Sequence, residues 1–182
     1  MKFFKISVLL IMVTAAVSMA QIAVGVQAGY ANPAFEKHDA AGGAIPIGIQ
    51  VGTNFLPVIE VGGEVSMTVK PFVMEEEGAP DDFEVTQTIV GVYGKYHLPM
   101  PAITPYGKVG VGYYLGGWDQ GDWGDGDFDG AVGFSVGAGV NTLMGIYGEF
   151  VYHIVSRKGD WEGAKSYGYN NWGIHAGYRI EL

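Results

Sequence analysis

Aspartates at alternate positions are the clearest candidate for metal binding in this sequence. The run from Asp125 to Gly130 reads Asp-Gly-Asp-Phe-Asp-Gly, which matches the first half of a calcium-binding loop. Asp125, Asp127 and Asp129 are therefore calcium candidates. The bidentate glutamate expected at the twelfth position is missing, because Val136 stands there. A solvated acidic loop is the alternative interpretation.

Histidine and serine near each other could supply a base and a nucleophile. His153 and Ser156 are three residues apart, so in a strand their side chains point to opposite faces. This geometry fails for a catalytic pair, and we predict no catalytic residues and no enzyme activity. His153 and His175 are interpreted as packing residues inside the fold.

The sequence contains no cysteine, which excludes disulfides and thiolate metal sites. No cofactor is expected.

The elements that carry these residues are predicted to be strands, because apolar residues recur at every second position. The stretches are 21–31, 44–53, 58–70, 85–98, 106–117, 131–142, 146–156 and 169–182. None of the apolar faces carries a charge, whereas the opposite faces do. A barrel with its apolar face outward suits lipid, and in lipid the sheet must close because unpaired backbone groups are costly. We therefore predict an all-β fold, a closed eight-stranded antiparallel transmembrane up-and-down β-barrel with a filled polar lumen.

The first twenty residues are predicted to be a cleaved signal peptide. Lys2 and Lys5 precede an apolar run, and Ser18-Met19-Ala20 supplies the small residues of a cleavage site before Gln21. A membrane anchor is the alternative, but the run is short for a span. Residues 21–182 then form one outer-membrane β-barrel domain. The net charge of −9 argues against nucleic acid as a partner.

The connections between the predicted strands alternate between long and short. Segments 32–43, 71–84, 118–130 and 157–168 are long and polar, whereas 54–57, 99–105 and 143–145 are short. In transmembrane barrels the long loops are extracellular and the short turns periplasmic. Segment 118–130 carries five aspartates, and segment 71–84 contains a run of three glutamates, Glu75 to Glu77.

Charged residues on the inner faces must be paired to remain buried. Eight positions qualify: Glu60, Glu64, Lys70, Lys95, Lys108, Glu149, Arg179 and Glu181. We predict a lumen salt-bridge cluster of Glu60, Glu64, Lys95, Lys108, Glu149 and Arg179, completed by Gln50, Gln87, Tyr93, Tyr147, His153 and His175. Glu149 and Arg179, on adjacent strands, are expected to form its best pair. The cluster is interpreted as a structural plug, with a gated ion path as the alternative.

Two pairs of stretches carry a resemblance to a known family. Residues 91–99 (GVYGKYHLP) with 104–114 (TPYGKVGVGYY), and residues 133–140 (GFSVGAGV) with 147–153 (YGEFVYH), resemble the small outer-membrane β-barrels of the OmpA and OmpX type. The resemblance covers residues 21–182 and implies the outer membrane of a Gram-negative-type bacterium. The final strand fits the family's C-terminal signature at Tyr178 and Ile180, but Leu182 replaces the usual aromatic residue. These degenerate motifs specify a fold and not a function.

The expected function is a structural or surface-interaction role through the acidic external loops. Outer-membrane lipid and lipopolysaccharide are the expected partners, the latter through divalent cations, and an extracellular ligand could bind loops 71–84 and 118–130. We expect a monomer. The alternatives are a narrow gated channel, a lipid-modifying outer-membrane enzyme, and a soluble lipocalin-like carrier, which would need its apolar face inside.

Overall fold

The fold is built from antiparallel strands. A computed structural model describes residues 21–35, 39–75, 83–119, 121, 124–158 and 166–182, so the predicted signal peptide lies outside the described residues. Eight strands form the wall: β1 (Ile22–Phe35), β3 (Ile45–Leu56), β4 (Ile59–Lys70), β7 (Thr88–His97), β8 (Ile103–Leu115), β11 (Ala131–Thr142), β12 (Ile146–Ile154) and β14 (Ser166–Glu181). Six short strands lie between them: β2 (Asp39–Gly42), β5 (Phe72–Glu75), β6 (Phe83–Val85), β9 (Gly117–Asp119), β10 (Asp125–Asp127) and β13 (Ser156–Lys158).

The eight wall strands close into a barrel. Each pairs antiparallel with the next in chain order, and β14 returns to pair with β1, where Val24 lies opposite Ile180. This topology confirms the predicted closed up-and-down barrel. Within the described ranges, no helix is long and apolar enough to cross a bilayer.

The two faces of the wall are oriented as the alternation predicts. Val109, Val136 and Ile174 are 64%, 49% and 57% exposed on the outside, whereas Lys95 and Glu149 are only 4% and 2% exposed. An apolar exterior around a charged interior suits a barrel in lipid. It contradicts the lipocalin-like alternative, which requires the reverse arrangement.

Several strands extend beyond their predicted ends. β1 continues to Phe35 and pairs with β14 as far as Tyr169, and β3 continues to Leu56, so that only 57–58 form the first short turn. The apolar alternation marks the part of a strand that contacts lipid, whereas backbone pairing continues into water. Boundaries drawn from hydropathy are therefore too short at these ends, whereas β7 (Thr88–His97) and β12 (Ile146–Ile154) are shorter than the predicted stretches 85–98 and 146–156.

A second sheet stands in place of three predicted loops. Its strands lie in the order β10-β9-β6-β5-β2 and come mainly from segments 32–43, 71–84 and 118–130, which we predicted to be loops. Val85 of β6 and Gly117 of β9 fall inside predicted strands. We call this five-stranded assembly the external sheet, because the long connections of such barrels are extracellular.

A compact apolar cluster joins the external sheet to the barrel. We call it the cap; it consists of Ala31, Ala44, Phe72, Val85, Ile89, Tyr114, Phe128, Val155 and Tyr169. Phe72 and Val85 come from the external sheet, and each is at most 2% exposed. Phe128 follows β10 and its ring packs 4.9 Å from that of Tyr169. The cap therefore anchors the external sheet over one end of the lumen.

Candidate functional site: the lumen and the external sheet

Six charged side chains meet inside the barrel, and we call them the lumen network. They are Glu60 and Glu64 from β4, Lys95 from β7, Lys108 from β8, Glu149 from β12 and Arg179 from β14. Five are buried, and the Arg179 side chain is 10% exposed. All six occupy inward-facing positions of their strands, so closure of the paired strands into a barrel is enough to place their side chains in the lumen.

Lys108 is the centre of the network. Its Nζ donates to Glu64 Oε2 at 2.6 Å and to Glu149 Oε1 at 2.9 Å. β4 and β12 lie on opposite sides of β8, with one strand between in each case. One ammonium group thus links carboxylates from both sides of the lumen, the multiple pairing that a buried charge requires.

Lys95 has a mixed polar and aromatic environment. Its Nζ donates to Gln50 Oε1 at 2.7 Å and lies 3.7 Å from Glu149 Oε2. The same ammonium lies within 4.7 to 5.6 Å of the ring centroids of three tyrosines, Tyr93, Tyr106 and Tyr147. This spacing is that of cation–π interactions, which strengthen when the cation is desolvated.

Glu60 is contacted by three side chains near the short-turn end of the barrel. The carboxylate accepts from Arg179 Nη1 and from Tyr93 OH, the latter at 2.8 Å, and His97 Nε2 lies 3.0 Å from its Oε2. Gly62 makes room for this arrangement, since a Cβ there would lie 2.6 Å from the Tyr93 ring. The small inward residues of the sequence thus accommodate the large ones.

The expected pair between Glu149 and Arg179 is not formed. Glu149 is paired with Lys108 and Lys95, while Arg179 is paired with Glu60 and Glu181. The register places His175 opposite Glu149, four residues from Arg179. The prediction was wrong because it assumed contact between neighbouring strands, whereas these ion pairs, apart from Arg179–Glu181 within β14, join strands that are not neighbours in the sheet.

Two predicted inner charges lie at the ends of the barrel. Lys70 is exposed, next to a register shift where Ile45 and Pro46 pair with β4. The Glu181 side chain is 55% exposed and lies 3.7 Å from Arg179. These positions surround the lumen network but do not belong to it.

Some lumen residues were not singled out in the sequence. Gln27 accepts from Gln50 and Tyr147 at 3.0 and 3.1 Å, and Tyr106 donates to Glu149 at 3.0 Å. His97 stands two residues after Lys95, and Tyr106 two residues before Lys108. Both lie inside the predicted strands 85–98 and 106–117, on the same alternation as the two lysines, so the pattern that selected Lys95 and Lys108 also selects them.

A small cavity with a mixed polar and apolar lining lies between the lumen network and the cap. It measures about 30 Å³ and is lined in part by Glu64, Gln87, His153 and His175. Gln87 accepts from Asn171 at 3.0 Å, and His153 Nδ1 lies 2.9 Å from Tyr114 OH. The space suits a few water molecules. Gln87, His153 and His175 thus form a separate polar layer nearer the cap.

His153 and Ser156 occupy different environments. His153 is buried beside Tyr114 in the lumen, whereas Ser156 is exposed in β13 beyond the break at Val155. The arrangement agrees with the expectation from their spacing.

The calcium interpretation of the aspartate run does not hold for the described residues. Asp125 and Asp127 lie in β10, an extended strand in which Asp125 is opposite Asp119 of β9. A calcium loop must curl around the ion, whereas β10 directs exposed carboxylates into solvent. The described part of the chain contains no group of three acidic or histidine side chains able to hold a metal ion.

The external sheet has one apolar and one acidic face. The apolar face carries Phe72, Val85 and Trp118, which are aligned across β5, β6 and β9 and face the cap. Gly126 leaves space for the indole ring, since a Cβ at this position would lie 2.8 Å from Trp118 Nε1.

The acidic face carries Glu84, Asp119 and Asp125 on the same three-strand side of the sheet, β6, β9 and β10. Asp119 lies directly opposite both Glu84 and Asp125, and all three are exposed. We call these three residues the acidic row.

Comparison with known proteins agrees with this geometry. The sequence model of the family described as outer membrane protein beta-barrel domain matches residues 6–179. Comparison with curated proteins gives no significant match.

Three solved structures are similar to this barrel at low sequence identity. Neisserial surface protein A is 15% identical, with a TM-score of 0.58 over 88% of this chain and 97% of that one. The attachment invasion locus protein Ail of Yersinia pestis is 13% identical, with a TM-score of 0.56 over 88% and 99%. OprG of Pseudomonas aeruginosa is 13% identical, with a TM-score of 0.57 over 90% and 97%.

At these identities the three structures support the fold alone. The family match covers nearly the whole chain, and the closed β-barrel is the architecture that the family description names. The protein therefore belongs to the outer-membrane β-barrel domain family and resides in the outer membrane of a Gram-negative-type bacterium.

Proposed function

We propose that this protein is a sealed, non-catalytic barrel that presents the acidic row of its external sheet to a positively charged ligand outside the cell. The observation that carries the proposal is the register of the acidic row, in which Glu84, Asp119 and Asp125 face one another directly. Like charges opposite each other in a sheet are destabilising. An arrangement that lowers stability at an exposed surface is typical of a functional site.

The cap supports this role because it fixes the acidic row in place. Phe72 and Val85, on the opposite face of the same sheet, are almost fully buried. An interaction surface on a packed sheet loses less conformational entropy on binding than one on a mobile loop. The cationic groups of a ligand would therefore bind three carboxylates whose positions are already fixed.

The triple variant Glu84→Gln, Asp119→Asn, Asp125→Asn tests the proposal. We expect it to be more stable by about 0.2–1 kcal/mol for each of the two relieved pairs, and to lose most of its binding to a hexalysine probe. Urea unfolding followed by tryptophan fluorescence measures the first effect, and salt-dependent titration with the probe measures the second.

A matched control neutralises a carboxylate at the other end of the barrel. Glu181→Gln should bind hexalysine as the wild type does. A sulfated polyanion offers a second control, since Ail has been crystallised with a heparin analogue, and we expect the acidic row to repel such a ligand. Unchanged hexalysine binding by the triple variant would contradict the proposal.

The lumen network and the cap support the sealed state. Oppositely charged groups that pair across a narrow lumen obstruct it, and an eight-stranded barrel has an interior that side chains can fill. We expect the wild-type protein to give no steady current in planar bilayers, and Glu149→Ala to increase current events by removing the partner of Lys108 and Lys95. A large and stable open pore in the wild type would favour the channel alternative.

A further inference from the structure

The short-turn end of the barrel opens into a broad recess that the proposed function does not use. The recess measures about 720 Å³, within the size range of small-molecule sites. Its walls include His97, Thr104 and Asn141, and Arg179 and Glu181 also line it. We call this recess the vestibule. Its inner end is closed by the lumen network, which lies behind Arg179. In this architecture the vestibule faces the periplasmic side.

The turns around the vestibule are apolar. Leu143 and Met144, at the tip of the turn between β11 and β12, are 81% and 76% exposed, and Met100 in a neighbouring turn is 50% exposed. Segments 98–104 and 141–145 contain no charged residue. Their side chains continue the outer apolar band through Leu98 and Ile146. Such tips are favourable at the boundary between headgroups and acyl chains and unfavourable in water.

Two charged groups of opposite sign lie at this mouth. Arg179 Nη2 is 3.7 Å from Glu181 Oε1, with side-chain exposures of 10% and 55%. Arg179 Nε is buried and has no hydrogen-bond partner among the described residues. Nε is therefore out of reach of a ligand, whereas Nη2, which lies beyond hydrogen-bond distance of Glu181, is the donor left for a ligand in the recess, and Glu181 presents a carboxylate to solvent beside it.

We propose that the vestibule binds the headgroup of a zwitterionic phospholipid of the inner leaflet, one that carries a phosphate and a primary ammonium. The phosphate accepts from Arg179, and the ammonium pairs with Glu181. A neighbouring cation and anion complement the headgroup's own pair of charges, whereas an anionic headgroup would meet the Glu181 carboxylate without compensation. The acyl chains lie against Leu143 and Met144, which joins the polar recess to the lipid around the barrel.

Native mass spectrometry of the purified barrel tests this inference with two lipids of identical acyl chains. Phosphatidylethanolamine and phosphatidylglycerol are compared as probes. We expect the wild type to retain phosphatidylethanolamine about tenfold more strongly, the ratio that one additional charge-assisted contact of about 1.4 kcal/mol produces. Glu181→Gln should abolish this preference without removing the lipid phosphate contact.

A second variant tests the apolar turn, and its positions are exposed enough to leave folding intact. Leu143→Asn with Met144→Asn should weaken retention of both lipids, because it removes the acyl contact. Asp127→Asn, which neutralises an exposed carboxylate of β10 at the opposite end of the barrel, is the control and should retain lipid as the wild type does. Equal retention of the two lipids by the wild type, or an undiminished preference in Glu181→Gln, would overturn the proposal. The proposal would also be overturned if soluble phosphoethanolamine displaced the lipid while the turn variant retained lipid as the wild type does. The site would then bind a free solute and not a membrane lipid.

Depth measurement in bilayers supplies an independent readout. Met144→Trp places an indole at the turn, and brominated phosphatidylethanolamine quenches indoles that lie among acyl chains. We expect strong quenching and blue-shifted emission after subtraction of the signal from the wild-type protein. Water-like, unquenched emission would show that the turn projects beyond the lipid and would refute the assignment.

Discussion

Lys108→Met should destabilise the barrel by about 3–5 kcal/mol, the effect of removing one partner from a buried ion pair. Lys108 is the closest cation to two buried carboxylates, at 2.6 Å from Glu64 and 2.9 Å from Glu149. Without it, Glu149 keeps Lys95 at 3.7 Å and the Tyr106 hydroxyl at 3.0 Å, and among the described residues Glu64 keeps only the amide of Gln50 at 3.5 Å. The expected loss arises because two desolvated negative charges remain with one poorly placed cation.

Unfolding by urea in lipid vesicles, followed by tryptophan fluorescence and by heat-modifiable gel mobility, measures this loss. Lys70→Met is the matched control, because Lys70 is an exposed lysine at the end of β4, and it should change stability by less than about 1 kcal/mol. The double variant Lys108→Met, Glu149→Gln restores the balance of charges and should recover part of the stability. Equal stability of Lys108→Met and Lys70→Met would show that the lumen network is not a source of stability.

Phe72→Ala should be comparably damaging, with a loss of about 3–5 kcal/mol, the range for a buried phenylalanine. The Phe72 side chain is 1% exposed and packs in the cap, where the external sheet meets the barrel. Its removal leaves a cavity beneath the sheet. Because Trp118 packs against the same cluster, its emission should shift to the red as the sheet loosens.

Phe55→Ala is the control for this variant, since Phe55 is 55% exposed at the opposite end of the barrel. It removes the same side chain without opening a cavity and should leave the Trp118 environment unchanged. We also expect Phe72→Ala to weaken hexalysine binding, because the acidic row loses its rigid support. A Phe72→Ala protein with unchanged stability and unchanged emission would show that the cap does not hold the external sheet.

The wall of the barrel could be predicted from the sequence because its pattern is local. Each side chain of a strand faces one of two media, and Val136 and Glu149 report their medium by residue type alone. Pairing of successive strands then follows from the need to satisfy every backbone group in lipid. The six lumen charges follow from the same alternation together with their depth in the strands, which separates them from Lys70 and Glu181 at the barrel ends.

The partners of those charges could not be predicted from the alternation. Glu149 is opposite His175 in the ladder, yet its ion pairs are with Lys95 and Lys108 across the lumen. Which residues face each other across a barrel depends on the stagger of all eight strands. That quantity belongs to the closed sheet and to no single segment.

The external sheet shows the same limit more strongly. Phe72 belongs to a short apolar run beside three glutamates, Val85 stands at the start of a predicted strand, and Phe128 is the one apolar residue in an Asp- and Gly-rich run. Nothing in these three local patterns indicates that the residues meet. Only when closure brings their segments over one end of the lumen do they meet and form the cap. The aspartate run at 125–129 is misleading for the same reason, because pairing with β9 makes an extended strand from residues whose spacing resembles a calcium loop.

The sequence by itself therefore determined the barrel, its lipid-facing surface and the set of residues inside it. These follow from the two-residue period of a strand, whose alternate side chains face lipid and the polar lumen. The tertiary structure alone decided the ion pairs, the cap and the alignment of the acidic row. These features depend on distances between residues far apart in the chain, which only the register and stagger of the closed sheet establish.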